Sequence, residues 1–405
     1  MNLRRFIALV LCFAMLFCLA ACNSDTDSNV DETPKDPESD KADDGASDSQ
    51  DGSEPADSDP DEPELTPAEL ERLENIEYLK TVEYLDFELT DGSKPYYVGR
   101  WFEKEIEGEK HMVTLTDGSS LYFLINNASS FDVNFTVITT KEEPYFAYSI
   151  DGGEPVRQHI TESTVTLPDT DRHIVQIIAD GMTETEGKWQ EEKGFALKNI
   201  MVAPGSSIWG VKPTNKVIFY YGDSITEGIR ALNMDATSDG NSATNAYPWY
   251  CSKALGAVTY SVGYGATGVT KEGSFNTFIN AIDYYSEGRE VNDGTIPDLI
   301  VVNHGTNDSS AAARIFNIRL TSAIKRLQEK YEGVTIVYLI PFRQTHAEDI
   351  KTVMSEFDNV HVVETADWGV TFTDNGYHPD VAGAKLAGEK LAEALREIMG
   401  EEFFK

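Results

Sequence analysis

Three short blocks of this chain carry residues able to make and break an ester. The first is Gly222-Asp223-Ser224-Ile225-Thr226-Glu227-Gly228, which follows an apolar, β-branched and aromatic run over 216–220 suited to a buried parallel strand. Asp223 and Ser224 are residue types that begin helices. A serine at a strand-to-helix turn projects its hydroxyl from the carboxyl edge of a sheet, where open α/β folds hold their ligands. Taken alone, Gly-Asp-Ser reads as a helix cap rather than a catalytic turn, and a hydroxyl becomes a useful nucleophile only when a base takes its proton. Two histidines compete to be that base. One is His378, in Asp374-Asn375-Gly376-Tyr377-His378-Pro379 ahead of a helical pattern; the other is His304, in Asn303-His304-Gly305-Thr306-Asn307-Asp308 at the end of another apolar strand.

The order of these blocks resembles that of the SGNH (GDSL-like) hydrolases, whose marks are a GDS serine, a glycine, a GxND asparagine and a DxxH histidine. The resemblance runs from about residue 216 to the C-terminus. It implies Ser224 as nucleophile, His378 as base, and an oxyanion hole made of the Ser224 backbone N–H, the Asn307 side-chain amide and a backbone N–H from Gly265 or Ala266. Such donors are worth ~10²–10³ in rate each. The family's acid stands three residues before the histidine, a position held here by Asn375, so Asp374, one residue further back, is the remaining candidate. A Ser224–His378 dyad is the expectation, with a triad completed by Asp374 as its rival. Asp223 is expected to hold the turn and Asp308 to cap the following helix.

These groups need a scaffold, and strands alternate with helical patterns from 216 onward. Strands are expected near 257–262, 300–303, 334–340 and 360–363, with helices near 246–255, 311–331 and 381–399. That alternation predicts a parallel, flavodoxin-like α/β sheet with helices on both faces. Upstream, Thr66-Pro67-Ala68-Glu69 reads as a capping box opening a short helix. Eight short strand-like runs between 96 and 202, punctuated by Asp-Gly turns, predict a β-sandwich of jelly-roll type. A sandwich ahead of a GDSIT hydrolase resembles carbohydrate esterase family two, bacterial deacetylases of that two-domain order. That family does without the triad acid, which supports the dyad. Trp101, Tyr145 and Phe146 are expected to pack in the sandwich rather than to bind sugar.

The first 22 residues combine Arg4 and Arg5, an apolar run over 6–19 and Ala20-Ala21-Cys22. This is a secretory signal, and its cysteine resembles a bacterial lipobox, making Cys22 the expected lipidation site. Residues 23–65 hold 17 acidic residues against Lys35 and Lys41 and almost nothing large and apolar. Such a segment is expected to stay disordered, as a tether of roughly 35–40 Å root-mean-square reach. The expected domains are therefore signal 1–22, linker 23–65, sandwich 66–211 and hydrolase 212–405.

A formal net charge of −36 argues against nucleic acid as a partner. No His, Cys and carboxylate cluster has metal spacing, so neither metal nor cofactor is expected. The Gly263-x-Gly265-x-x-Gly268 run mimics a dinucleotide fingerprint without its helix-and-acid context. The reading is of a monomeric, surface-anchored acetyl esterase acting on acetylated xylan or glucomannan. Its alternatives are a catalytically weak carbohydrate-binding protein, or a lipase or thioesterase using the same residues.

Overall fold

The computed structural model describes residues 65–80 and 85–405, so Cys22 and the acidic tether lie outside the described residues. The helix Pro67–Leu79 starts at the predicted capping box: the Glu69 N–H donates to Thr66 Oγ1 at 3.3 Å and the Thr66 N–H to Glu69 Oε2 at 2.7 Å. Beyond it stand two antiparallel sheets. One runs 87–89, 207–213, 120–126, 173–181, 145–150, 156–159, with 96–98 also paired to 120–126; the other runs 101–106, 109–114, 195–202, 130–137, 164–166. Leu121, Phe123, Ile125, Val175, Ile177, Phe195 and Leu197 fill the space between them. The sandwich agrees with expectation, but among the described residues it has twelve strands rather than eight. The run 96–102 splits at Gly99-Arg100, and Ser207–Pro213 is a further strand beyond Ala203-Pro204-Gly205, so the sandwich extends to Pro213. Strands as short as Phe87–Leu89 carry too few residues for alternation to be read.

The strand Ser120–Asn126 is buried almost throughout instead of alternating. Its Tyr122 and Leu124 turn away from the sandwich core and pack with Val258 of the second domain. A sheet covered on both faces reads as a continuous apolar run. Trp101 and Phe146 are buried in the sandwich core. Tyr145 donates to Asp239 at 2.6 Å under the Arg157 guanidinium, 3.6 Å from its ring centre.

The second domain is a five-stranded parallel sheet in the order 258–263, 217–222, 299–303, 335–339, 360–363. In chain order this is 2-1-3-4-5, the flavodoxin-like arrangement expected. Helices Tyr247–Leu255 and Val381–Met399 cover one face with Ile218, Tyr220, Val301 and Val337 beneath them. Helix Ala313–Lys330 covers the other with Phe219, Tyr221, Ile300 and Tyr338. The described residues form one compact unit.

Candidate active site

Strand register fixes the site before any side chain does. Gly222 pairs with Gly263 on one side and Asn303 on the other, so three strands end level and release their loops at one edge. Ser224 opens the one-turn helix Ser224–Glu227, whose N-cap is Asp223, with Oδ1 accepting the Ile225 N–H at 3.0 Å. Gly222 is required for space: a Cβ there would sit 1.9 Å from Thr226 Oγ1. Burial raises the Asp223 carboxyl to about 7, against the pull of the Ile225 hydrogen bond.

His378 comes from the turn before helix Val381–Met399, which is capped by Asp380 accepting the Gly383 N–H at 2.7 Å. Its Nε2 lies 2.9 Å from Ser224 Oγ. Burial, and then the charge of Arg230, lower the ring to about 4, so it is neutral at pH 7. Its Nδ1 faces Asn375 Nδ2 at 2.8 Å. Asp374 is exposed and makes no hydrogen bond to His378, so the triad alternative is corrected: the turn aims residue 375, not 374, at the ring. His304 is buried in the hydrolase core against Phe278, ring centres 4.5 Å apart, and burial pushes it to about 3.

The other expected residues fall less simply. Asn307 lines the same cavity of about 190 Å³ as Ser224 and His378, with Glu184 and Lys271. Its Nδ2 donates to Thr267 O at 3.1 Å and to Asp223 Oδ2 at 3.3 Å. Gly265 and Ala266 line a neighbouring cleft of about 360 Å³ with Glu184 and Trp189. Ala266 adopts φ 56°, the left-handed backbone that glycine normally supplies. Asp308 does not cap a helix, since Ala312 is the N-cap of Ala313–Lys330. It accepts the N–H groups of Val269 at 2.9 Å and Thr270 at 2.7 Å, tying the third loop to the second.

The sandwich supplies groups the sequence did not reveal. Lys188 reaches Glu227 of the Ser224 helix in an ion pair with no exposed side-chain surface on either partner. Burial pushes Lys188 down, but the charges of Glu227 and Asp117 outweigh it and hold the ammonium above its ordinary range. Asp180, also buried, accepts from Arg157 Nε at 2.9 Å, Ser242 Oγ at 3.0 Å and the Thr244 N–H at 2.9 Å. That carboxylate fastens the loop following Arg230, whose N–H donates to Asn241 Oδ1 at 2.8 Å. The one sequence signal was Glu227 itself, a carboxylate in an otherwise buried turn that needs a partner; nothing local pointed to Lys188, 39 residues away.

Residues 220–402 match the GDSL-like Lipase/Acylhydrolase family. A search among curated proteins finds no match. Among solved structures, a family two carbohydrate esterase from Cellvibrio japonicus is similar at 17% identity and a TM-score of 0.62, covering 79% of this chain and 98% of its own. A family two carbohydrate esterase from Clostridium thermocellum, in complex with cellohexaose, is similar at 16% identity and a TM-score of 0.61, over 76% of this chain and 100% of its own. An acetyl xylan esterase from the rumen bacterium Butyrivibrio proteoclasticus is similar at 15% identity and a TM-score of 0.55, over 79% and 100%. At these identities the likeness is one of fold, and it spans both domains. The chain thus carries an SGNH/GDSL-like hydrolase domain behind a β-sandwich, in the two-domain architecture of the family two carbohydrate esterases.

Proposed function

We propose that the mature protein is an exported serine esterase that removes acetyl groups from a polysaccharide, with Ser224 as nucleophile and His378 as base. The observation that carries this reading is the 2.9 Å contact between His378 Nε2 and Ser224 Oγ at the carboxyl edge of the sheet. Ser224 Oγ attacks the acetyl carbonyl and its proton passes to Nε2, which returns it to the departing sugar oxygen. A water then gives a proton to Nε2 and attacks the acetyl-serine; acetate leaves as Ser224 recovers the proton. The Ser224 N–H, the Asn307 amide and the N–H of Gly265 or Ala266 are assigned to the oxyanion. Of the two Asn307 bonds, the one to Asp223 at 3.3 Å is the longer and the one a bound oxyanion replaces.

The cavity supports a short acyl group. It is about 190 Å³ and its lining is mostly polar, with Ile225 the one aliphatic side chain, which suits an acetyl group better than a fatty acyl chain. This weighs against the lipase and thioesterase alternatives. The activities of the similar esterases support a sugar ester, and xylan or glucomannan are the substrates we assign. Export rests on the signal-like first 22 residues, and anchoring on Cys22 as the lipidated residue. The test is acetate release from acetylated xylan and glucomannan by the mature chain, with and without a chelator. Release should survive the chelator and fall at least ~10³-fold in Ser224→Ala. A Ser224→Ala variant that keeps most of the activity refutes the assignment.

A further inference from the structure

Asn375 sits where a carboxylate would orient the histidine, and its own bonds fix which end of its amide faces the ring. Its Oδ1 accepts the backbone N–H of Tyr377 at 2.8 Å, that of His378 at 3.1 Å, and the Thr373 hydroxyl at 3.1 Å. Exchanging oxygen and nitrogen would set an NH₂ group against two backbone donors, so Nδ2 is the end turned to His378 Nδ1, 2.8 Å away. An amide nitrogen only donates. Nδ1 must therefore accept, and a neutral ring whose Nδ1 accepts carries its proton on Nε2. Nε2 is the atom that meets Ser224 Oγ. In that tautomer the ring donates to the serine and cannot take its proton.

We propose that Asn375 is a positioning residue that holds His378 in the Nε2–H tautomer, so that the resting protein is a restrained esterase whose turnover requires the ring to move its proton to Nδ1 and give up the Asn375 bond. The inference rests on the assignment of Ser224 and His378 above. No bond forms or breaks beyond the tautomeric shift: one proton leaves Nε2 and one joins Nδ1, with solvent as the carrier. A true triad in which the acid is replaced by its amide loses ~10⁴ in kcat because the ring adopts the wrong tautomer, and that is the scale of what this position withholds.

The test is Asn375→Asp in the full mature chain. One carboxylate oxygen keeps the two backbone N–H bonds and the other faces Nδ1 as an acceptor. The kcat for an acetyl ester should rise at least ~10-fold, with ~10⁴ as the ceiling. The acid limb of kcat/KM should move to higher pH than the value of about 4 set by burial and Arg230, because a carboxylate favours the imidazolium. The other charged or titratable groups around the ring are Glu184 and Lys271 in the cavity, Asp374 and Tyr377 on its own turn, and Arg343 from the loop after strand Thr335–Leu339, which donates to Gly376 O at 2.7 Å; the substitution leaves all of them in place. A second measurement needs neither variant nor activity: ¹⁵N NMR of the His378 imidazole in the wild type should give a protonated Nε2 and a bare Nδ1. A wild-type ring protonated at Nδ1, or a folded Asn375→Asp whose kcat is unchanged or lower, overturns the proposal. Loss of the esterase reading itself registers separately, as activity that survives Ser224→Ala.

Discussion

Replacing Lys188 by Met removes the ammonium that faces Glu227 while keeping most of the volume. Both side chains are wholly buried, Lys188 meets Glu227 Oε1, and Oε2 has no hydrogen-bond partner among the described residues, so the carboxylate is left without compensation. Removing one partner of a buried ion pair costs about 3–5 kcal/mol. An independent bound comes from protonation, because Glu227 escapes its charge by binding a proton. Starting from an ordinary value of 4.5, that costs ~1.4 kcal/mol per pH unit, or about 3 kcal/mol at pH 7 and less than about 1 kcal/mol at pH 5. The sign follows from linkage. Burial raises the Glu227 carboxyl even with Lys188 present, and the ammonium pulls it back down; without that ammonium the folded state holds a proton that the unfolded state releases above 4.5, so stability is fully present below that value and is lost as pH rises through the folded pKa. Buried Asp117, which also loses the nearby ammonium, adds in the same direction. Urea unfolding of wild type and Lys188→Met at pH 7 and pH 5 checks this. The variant should be destabilised by about 3 kcal/mol at pH 7, and more than half of that should vanish at pH 5. A cost that is independent of pH, or one under about 1 kcal/mol at pH 7, refutes the view that the pair is a charged bridge. Lys188→Met with Glu227→Gln should recover much of the loss, since no buried charge is then left unpaired.

Two further outcomes are expected. Ala266→Gly relieves a left-handed backbone at φ 56° that costs a non-glycine residue ~1–2 kcal/mol, offset by the greater freedom of glycine in the unfolded chain, so it should raise stability by up to ~1 kcal/mol in a thermal melt; a lower Tm would mean that the alanine methyl contributes packing that outweighs the strain. Expressed in a bacterium with its own signal, the protein should partition with membranes and lose that behaviour as Cys22→Ala, whereas wild-type protein found soluble outside the cell rules out the lipid anchor.

Local signals in the sequence determined much of this protein. The apolar run before Gly222, the glycine turns and the helical pattern after Pro379 fix where Ser224, Asn307 and His378 leave their strands or enter a helix. Strand–helix alternation and right-handed crossover then dictate the sheet order. The capping box at Thr66 is legible for the same reason: its partners are three residues apart. The strands Phe87–Leu89, Val156–His159 and Ser207–Pro213 were not legible, because a run of three or four residues has no period and the last does not alternate between buried and exposed positions. The roles of Asp308, Ala266 and Asn375 also needed the tertiary structure. Asp308 is a cap by residue type, yet it bonds a loop 38 residues upstream. Asn375 is close to His378 in sequence, yet only the turn that points two backbone N–H groups at its Oδ1 decides which end of the amide meets the ring. The meeting of Lys188 with Glu227 exists only because the two domains close on each other, and a partner supplied across a domain boundary leaves no spacing in the sequence to find it by.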